Sequence, residues 1–345
     1  MPPAALRRND APARLARGRT CVLESARMDD TKKSATLRDY VRIARPDHWI
    51  KNLFILPGFL AAVVLLHERT GPAVWGKLAL ALVCTSLVAS ANYVINEWLD
   101  AKFDKFHPTK KNRPVVVADL RKPLVYAEYT LLAVAGLGLS LLVGRMFFAM
   151  AAWLFVMGVV YNVEPLRTKD VPFLDVLSES VNNMIRLLMG WFVLTESTLP
   201  PCSVILGYWM GGAFLMATKR FAEYRMIGDP ERAGLYRKSF KRYTESSLLV
   251  SSFVYAIVAT FLIGIFLVKH RIELLISMPF LVALFGKYTA IAYKPDSAAQ
   301  KPEKLYREKG LMALTLLFVA ALLVGCFVKM PWLDVFTTQK LIELK

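Results

Sequence analysis

Cysteine is scarce in this sequence, and its few copies are not arranged for chemistry. The four cysteines among 345 residues form no CxxC pair and are widely scattered, at Cys21, Cys84, Cys202 and Cys326. This spacing argues against a zinc site and against a disulfide framework. The sequence also lacks strand-like alternation and low-complexity tracts. Its first apolar run begins near residue 50, too late for a cleaved signal peptide.

Apolar residues are abundant instead. Hydrophobic residues make up 55% of the chain and the mean hydropathy is +0.40, which is typical of a multi-spanning membrane protein. A spanning helix needs about 20 mostly apolar residues. The sequence therefore predicts an all-α membrane protein with about nine transmembrane helices. The segments lie near 50–67, 77–98, 123–143, 146–162, 173–195, 203–222, 246–268, 272–293 and 310–330.

The charge is strongly positive and unevenly distributed. The net charge is +17, and the cations concentrate in alternate connections, at 102–122, 167–169, 219–242 and 294–309. This positive-inside pattern predicts a cytoplasmic N-terminus and a C-terminus on the outside. Nucleic-acid binding is disfavoured, because the basic residues lie in short loops between spans.

The chain is expected to divide into a tail and one membrane domain. Residues 1–39 are predicted to form a disordered basic cytoplasmic tail, because the N-terminal stretch is rich in Ala, Arg, Pro and Asp without hydrophobic periodicity. Residues 40–345 are predicted to form a polytopic domain. The sequence leaves open whether copies of the chain assemble into a homo-oligomer.

The second span ends in the polar stretch NEWLDAKFDKFHPTKKNRP. Asn96, Asp100 and Asp104 are spaced four apart and share one inclined stripe of a helix. Carboxylates beside an amide suit Mg²⁺, which completes its shell with water and substrate phosphate oxygens. Lys110 and Arg113 follow and can neutralise the same phosphates. The alternative is a charged helix end that meets water and sets the topology.

A second polar face follows the fourth span. Asp175, Glu179, Asn182, Asn183 and Arg186 recur at offsets of 4, 7, 8 and 11 in a membrane-compatible helix. Polar residues there are costly without a function or mutual pairing. We interpret them as a second carboxylate cluster facing the first, with Arg186 reaching substrate or a carboxylate. The alternative is a structural pair between Arg186 and Glu179 or Asn182.

A third polar stretch, ATKRFAEYRMIGDPERAGLYRKSFKRYTES, follows the sixth span. Lys219 and Glu223 are four apart and can form a simple helix ion pair. The loop nevertheless carries more cations than orientation needs, including Arg237 and Lys238. These cations are candidates for binding a phosphorylated substrate.

The motif N-x-x-x-D-x-x-x-D at the end of the second helix resembles the UbiA prenyltransferase superfamily, and the likeness covers residues from about 40 to 330. This resemblance implies a UbiA-like helical bundle whose active site opens to the cytoplasm and holds Mg²⁺ and a diphosphate. RPDHWIKN, NEWLDAKFDKFHPTKKNRP, TKRFAEY and RKSFKRYT resemble motifs of the decaprenyl-phosphate phosphoribosyltransferases within it. That subgroup moves 5-phosphoribose from 5-phosphoribosyl 1-diphosphate to a polyprenyl phosphate.

The residues and the resemblance together define the expected site. Asp100, Asp104 and Asp175 are the predicted catalytic residues, and the predicted metal ligands are Asn96, Asp100 and Asp104. The predicted substrate-binding residues are Lys51, Asn96, Lys110, Arg113, Tyr161, Arg167, Glu179, Arg186, Lys219, Glu223, Arg237 and Lys238.

Two other functions compete with phosphoribosyl transfer. Aromatic prenyl transfer uses the same metal–diphosphate chemistry, and the aspartate motif cannot separate the two reactions. The surplus of loop cations favours phosphoribosyl transfer. A transporter is disfavoured, because the charged stripe lies at the cytoplasmic helix end and no matching pair of broken helices occurs in two halves.

Overall fold

The computed structural model describes residues 32–67, 70–295, 297–300 and 302–337. Residues 1–31 of the predicted tail lie outside this part of the chain. Within it, Lys33–Ser34 forms strand β1 and Leu37–Ile43 forms a helix, so regular structure begins before residue 40. Strand β1 pairs in parallel with strand β2, Ala118–Asp119.

Helices dominate the described chain. The α-helices are α1 Leu37–Ile43, α2 Leu56–Leu66, α3 Pro72–Asp104, α4 Pro114–Val117, α5 Lys122–Ser140, α6 Arg145–Asn162, α7 Leu174–Trp191, α8 Cys202–Ile227, α9 Pro230–Tyr236, α10 Glu245–His270, α11 Met278–Ala292 and α12 Lys309–Phe327. Short 3₁₀ helices connect them at Pro46–Ile55, Lys110–Asn112, Thr168–Asp170, Lys238–Lys241, Ile272–Ser277, Ala298–Gln300, Pro302–Arg307 and Pro331–Phe336.

Seven helical segments of the described chain are long and apolar enough to cross a membrane, so the protein is an integral membrane protein. They are Leu37–Leu66, Pro72–Asp104, Lys122–Ser140, Arg145–Asn162, Glu245–His270, Ile272–Ala292 and Lys309–Phe327. The sequence predicts nine spans, and the two remaining ones correspond to α7 and α8. Helix α7 carries a polar stripe, and α8 ends in charged residues, which lower the hydropathy of these two helices. The count of nine spans therefore stays a prediction.

Helix α7 lies at the centre of the largest apolar cluster. Its residues Ile185, Met189 and Trp191 pack with side chains of α2, α3 and α6. The backbones of α2 and α7 nearly touch, because a side chain at Gly58 would overlap the carbonyl group of Leu187. Small residues permit this close approach between membrane helices. The apolar face of α7 is thereby fixed, and its polar face is turned toward the site.

A second apolar cluster holds the long loop after α8. Phe240 in this loop is buried against Tyr236 of α9, together with Phe221 of α8 and Ile291 of α11. Its aromatic rings meet edge to face, for example Tyr236 and Phe240 at 6.1 Å between centroids. This packing brings the loop's cations back over the helix ends instead of leaving them in solvent.

Candidate active site

A large cavity lies between α3, α6, α7, α8 and the adjoining loops, with a volume of about 990 Å³. Its wall contains six carboxylate residues, which are Asp47, Glu97, Asp100, Asp104, Glu179 and Glu223. It also contains ten cationic residues, which are Arg38, Arg42, Arg45, Lys51, Lys110, Arg113, Arg186, Lys219, Arg220 and Arg237. The cavity is therefore polar, with a surplus of positive charge that suits an anionic ligand.

Asp100 lies near the end of α3 and is shared by two cations of the α6–α7 connection. Its Oδ1 accepts hydrogen bonds from Lys169 Nζ at 2.6 Å and from Arg167 at 2.9 Å. Lys169 also donates to Asn162 Oδ1 at 2.8 Å, and Asn96 Nδ2 donates to the same oxygen at 2.5 Å. The stripe predicted on α3 is thus tied to α6 and to the loop that follows it.

Asp104 and Glu97 hold the basic loop after α3. Arg113 donates to Asp104 Oδ2 at 2.5 Å, and its Nε lies 3.9 Å from Glu97 Oε2. Arg45 pairs with the same Glu97 oxygen at 2.8 Å. Both carboxylates are almost completely buried. The ion pairs therefore fix the loop and the segment before α2 against one helix end.

His107 turns the chain so that Lys110 points back into the bundle. Its Nδ1 accepts hydrogen bonds from the backbone N–H groups of Thr109 and Lys110, both at 3.2 Å. Lys110 Nζ then lies 2.5 Å from Glu223 and also donates to the Tyr236 hydroxyl. Burial lowers the pKa of Lys110 to about 8, although Glu223 opposes this shift. Lys110 is thus a partly desolvated cation in the cavity wall.

Arg220 connects the second and third polar stretches. Its guanidinium lies 3.3 Å from Asp175 and 3.5 Å from Glu223, and it pairs directly with Glu179. It also donates to the Tyr161 hydroxyl at 2.9 Å. Arg220 is 1% exposed, so its charge is balanced almost entirely by these neighbours.

Asp175 lies behind the cavity wall and does not line the cavity. Its carboxylate accepts hydrogen bonds from Tyr243 at 2.7 Å and from Ser239 at 3.2 Å, and Arg237 lies 3.6 Å away. Its exposure is 0%. A direct catalytic role for Asp175 stays a prediction. Its position suits a residue that orients Arg220 and Arg237.

Apart from Asp175, the predicted site residues fall into two groups according to the cavity that they line. Those that line the main cavity are Lys51, Asn96, Asp100, Asp104, Lys110, Arg113, Tyr161, Glu179, Arg186, Lys219, Glu223 and Arg237. Arg167 and Lys238 line a small neighbouring recess instead. The spacing allows an ion pair between Lys219 and Glu223, but the structure places Lys219 beside Glu179 instead, at 3.7 Å.

Several residues of this network were not among the predicted site residues, and they include Arg45, His107, Lys169, Arg220 and Tyr236. A signal for Arg220 exists in the sequence, since Arg220 precedes Glu223 by three residues on one helix face. Lys169 has a weaker signal, namely its place between Pro165 and Pro172 in a sharply bent connection. The partners of both residues come from distant segments, which spacing alone does not disclose.

The predicted metal ligands can be compared with what Mg²⁺ requires. No group of three or more His, Cys, Asp and Glu side chains suited to a metal occurs within the described residues. Mg²⁺ needs only one or two carboxylates, because water and substrate phosphates complete its shell. Asp100 and Asp104 line the cavity one helical turn apart. Within the described chain, Asp100 Oδ2 accepts one hydrogen bond, a long one of 3.3 Å from Asn96. These residues fit such an ion.

Fold and site together define a helical membrane protein with a cationic, carboxylate-edged cavity. The chain belongs to the UbiA prenyltransferase family, whose sequence profile matches residues 55–307. The predicted family is therefore confirmed.

Individual relatives support the same assignment. A decaprenyl-phosphate phosphoribosyltransferase from Mycolicibacterium smegmatis is 32% identical over 235 residues, covering 64% of this chain and 66% of that protein, just under two thirds of its length. One from Corynebacterium glutamicum is 28% identical over 315 residues, covering 84% of this chain and 86% of its own. A solved UbiA homologue from Archaeoglobus fulgidus bound to GPP and Mg²⁺ shares the fold, with a TM-score of 0.63 and 18% identity over 84% of this chain and 100% of that one.

Proposed function

We propose that this protein transfers 5-phosphoribose from 5-phosphoribosyl 1-diphosphate to a polyprenyl phosphate. The observation that carries this proposal is the charge of the cavity, whose ten cationic residues outnumber its six carboxylates. The two substrates together carry phosphate at three positions, and each phosphate requires compensating charge. The relatives named decaprenyl-phosphate phosphoribosyltransferase support the same reaction.

In the proposed reaction, an oxygen of the lipid phosphate forms a bond to the anomeric carbon of the ribose. The bond from that carbon to the diphosphate oxygen breaks, and the diphosphate leaves with the electron pair. Asp100, Asp104 and Asn96 would hold Mg²⁺, which supplies Lewis-acid stabilisation of the leaving group when bound. Lys110 and Arg113 would add positive charge from the loop after α3.

The remaining residues would bind and position the substrates. Lys219 and Arg237 lie in the cavity wall and are the proposed partners of donor phosphates. Glu179 and Glu223 would keep the arginine and lysine side chains oriented by accepting their hydrogen bonds. Asp175 would act from behind the wall as a positioning residue for Arg220 and Arg237.

The proposed orientation places the opening of the cavity and the N-terminus on the cytoplasmic side of a bacterial inner membrane. The cation-rich connections support it, because positively charged loops remain in the cytoplasm. A charged, water-soluble donor would enter from that side. The lipid acceptor would enter from the bilayer.

The test is a transfer assay with purified protein in detergent or reconstituted membranes. Radiolabelled 5-phosphoribosyl 1-diphosphate is incubated with a polyprenyl phosphate, with and without Mg²⁺, and label in the lipid phase is measured. A parallel reaction offers a polyprenyl diphosphate and an aromatic acid. We expect Mg²⁺-dependent label in the lipid and no prenylated aromatic product. Prenylation of the aromatic acid without phosphoribosyl transfer would contradict the proposed donor and acceptor.

A further inference from the structure

Arg186 is a buried cation whose charge has no counter-ion in the described chain. Its side chain belongs to α7 and lines the cavity, and only 7% of the residue is exposed. Its Nε donates to Asn52 Oδ1 at 3.0 Å and its NH1 donates to the backbone carbonyl of Asn182 at 3.1 Å. Both acceptors are neutral. A desolvated charge without a partner of opposite sign is unfavourable, so this position calls for an anion.

The other buried cations of the site are balanced. Lys110 pairs with Glu223 at 2.5 Å, and Lys169 pairs with Asp100 at 2.6 Å. Arg220 is surrounded by three carboxylates. These residues have their counter-ions before any ligand arrives. Arg186 differs from them and is therefore the better candidate for a group whose charge is compensated by a ligand.

The surroundings of Arg186 resemble a prepared subsite. Asn52 donates to Ser86 at 2.9 Å, so its Oδ1 is held toward the guanidinium. The NH2 nitrogen of Arg186 makes no hydrogen bond with the described residues. Asn182 lies one turn earlier on the same helix face and also lines the cavity. Its Oδ1 is buried and has no hydrogen-bond partner among the described residues.

Arg186 also lies about two helical turns away from Glu179 on α7. It follows Glu179 by seven residues, which corresponds to roughly 10 Å along an α-helix. A ligand with one phosphate near the cations that pair with Glu179 can therefore place a second phosphate near Arg186.

We propose that Arg186 and Asn182 form a subsite for a phosphate monoester, separate from the diphosphate end of the cavity, with Asn52 orienting the guanidinium from behind. The identity of the ligand rests on the proposed function, in which both substrates carry a phosphate monoester. The unpaired Asn182 oxygen is an acceptor, and ribose supplies hydroxyl donors. The expected occupant is therefore the 5-phosphate end of the donor. Prenyl diphosphates lack this group, so the subsite selects against them.

The sharpest variant is Asn182→Asp. It places a carboxylate one turn from Arg186, where the two side chains can pair. If the guanidinium serves a ligand phosphate, this internal counter-ion displaces the ligand while the fold is unchanged or stabilised. We expect affinity for ribose 5-phosphate to fall about ten- to a hundredfold. Arg186→Gln should cause a similar loss, and Arg186→Lys should restore part of the affinity.

Binding is measured by calorimetry on the detergent-solubilised full chain with two probes, ribose 5-phosphate and decyl phosphate. Neither measurement requires turnover. The matched control is Arg225→Gln, because Arg225 pairs with Glu245 at 2.7 Å outside the cavity. A loss confined to ribose 5-phosphate assigns the subsite to the donor. A loss confined to decyl phosphate assigns it to the lipid acceptor.

Unchanged affinity for both probes in Asn182→Asp and Arg186→Gln would overturn the subsite and leave Arg186 a structural residue. The proposed function is judged separately by the transfer assay. If the wild type transfers phosphoribose while both variants keep their Michaelis constants, the subsite is wrong and the function stands. If Arg186-dependent probe binding is found without phosphoribosyl transfer, the subsite stands and the function is wrong.

Discussion

Lys169 Nζ lies 2.6 Å from Asp100 Oδ1, across a separation of 69 residues. This contact closes the α6–α7 connection over the end of α3. The carboxylate predicted to bind a metal is therefore shared with a lysine of the same chain. Burial lowers the pKa of Lys169 to about 8, while Asp100 favours its charged form. Charge at this end of the cavity depends on a lysine that loses its proton at mildly alkaline pH.

The first prediction concerns the two carboxylates of α3. Asp100→Asn and Asp104→Asn should each lower turnover by at least about a hundredfold, since removing a charged ligand or ion-pair partner costs about 3 kcal/mol or more. Each change removes a predicted metal ligand and leaves buried Lys169 or half-buried Arg113 without its nearest carboxylate. The measurement is phosphoribosyl transfer over a Mg²⁺ titration, with thermal unfolding in detergent to verify folding.

The control for this prediction is Asp119→Asn, because Asp119 is exposed on β2 and does not line the cavity. It should behave like the wild type. Near-normal turnover of both α3 variants at limiting Mg²⁺ would contradict the metal assignment.

The second prediction concerns pH. Burial lowers the pKa of both Lys110 and Lys169 from 10.5 to about 8. As the pH rises through 8, both lose their charge, so affinity for the donor should fall. In the double variant Lys110→Arg, Lys169→Arg, the decrease of kcat/KM at alkaline pH should shift to higher pH, because arginine stays protonated. The pH profile of kcat/KM for the donor reports this change.

Stability should change in the opposite direction over the same range. Between about pH 8 and 10.5 the unfolded chain binds protons at these lysines that the folded chain does not, so the lysines' contribution to the unfolding free energy rises with pH. Activity lost through alkaline unfolding would instead accompany a loss of stability. If the decrease of kcat/KM at alkaline pH occurs at the same pH in the folded arginine variant, the role of the two lysines is contradicted.

The sequence predicted the regular part of the site well. Asn96, Asp100 and Asp104 do share one stripe, because the helical period directly determines which residues lie on one face. The helical membrane fold also follows from long apolar segments. The polar face of α7 and the charged end of α8 were recognised too, and neither helix is among the seven apolar spans.

The partners of these residues could not be predicted in the same way. Glu223 accepts a hydrogen bond from Lys110, which lies 113 residues away in the sequence. Asp175 accepts one from Tyr243, which lies 68 residues away. Such contacts depend on how connections fold back onto helix ends. Spacing within one segment contains no information on that geometry. The neutral hydrogen-bond partner of Arg186 could not be predicted for the same reason, since Asn52 lies 134 residues earlier in the chain.

The third prediction tests whether Asp175 orients other residues. Asp175→Asn should destabilise the protein by about 3 kcal/mol, because it leaves the buried guanidinium of Arg220 without one of its carboxylates. It should also raise the donor's Michaelis constant several-fold through misplacement of Arg237, with a smaller effect on kcat. Thermal unfolding and steady-state kinetics are measured on the same preparation. Lower stability with unchanged kinetics would identify a purely structural role, and a loss of kcat alone would support direct participation.

The last prediction separates the donor from the acceptor. Lys219 lines the cavity, and its amine is only loosely paired, at 3.7 Å from Glu179. Glu179 has firmer partners in Arg220 and Tyr161, so removing Lys219 leaves its charge compensated. Lys219→Ala should therefore cost little stability.

A charge-assisted hydrogen bond to phosphate contributes about 1.5–3 kcal/mol, so Lys219→Ala should raise the Michaelis constant for phosphoribosyl diphosphate roughly ten- to a hundredfold. The constant for the polyprenyl phosphate should stay nearly unchanged. The control is Lys111→Ala, which removes an exposed cation that does not line the cavity. Equal increases for both substrates would mean that Lys219 supports the site as a whole, and no increase for either would exclude it from donor binding.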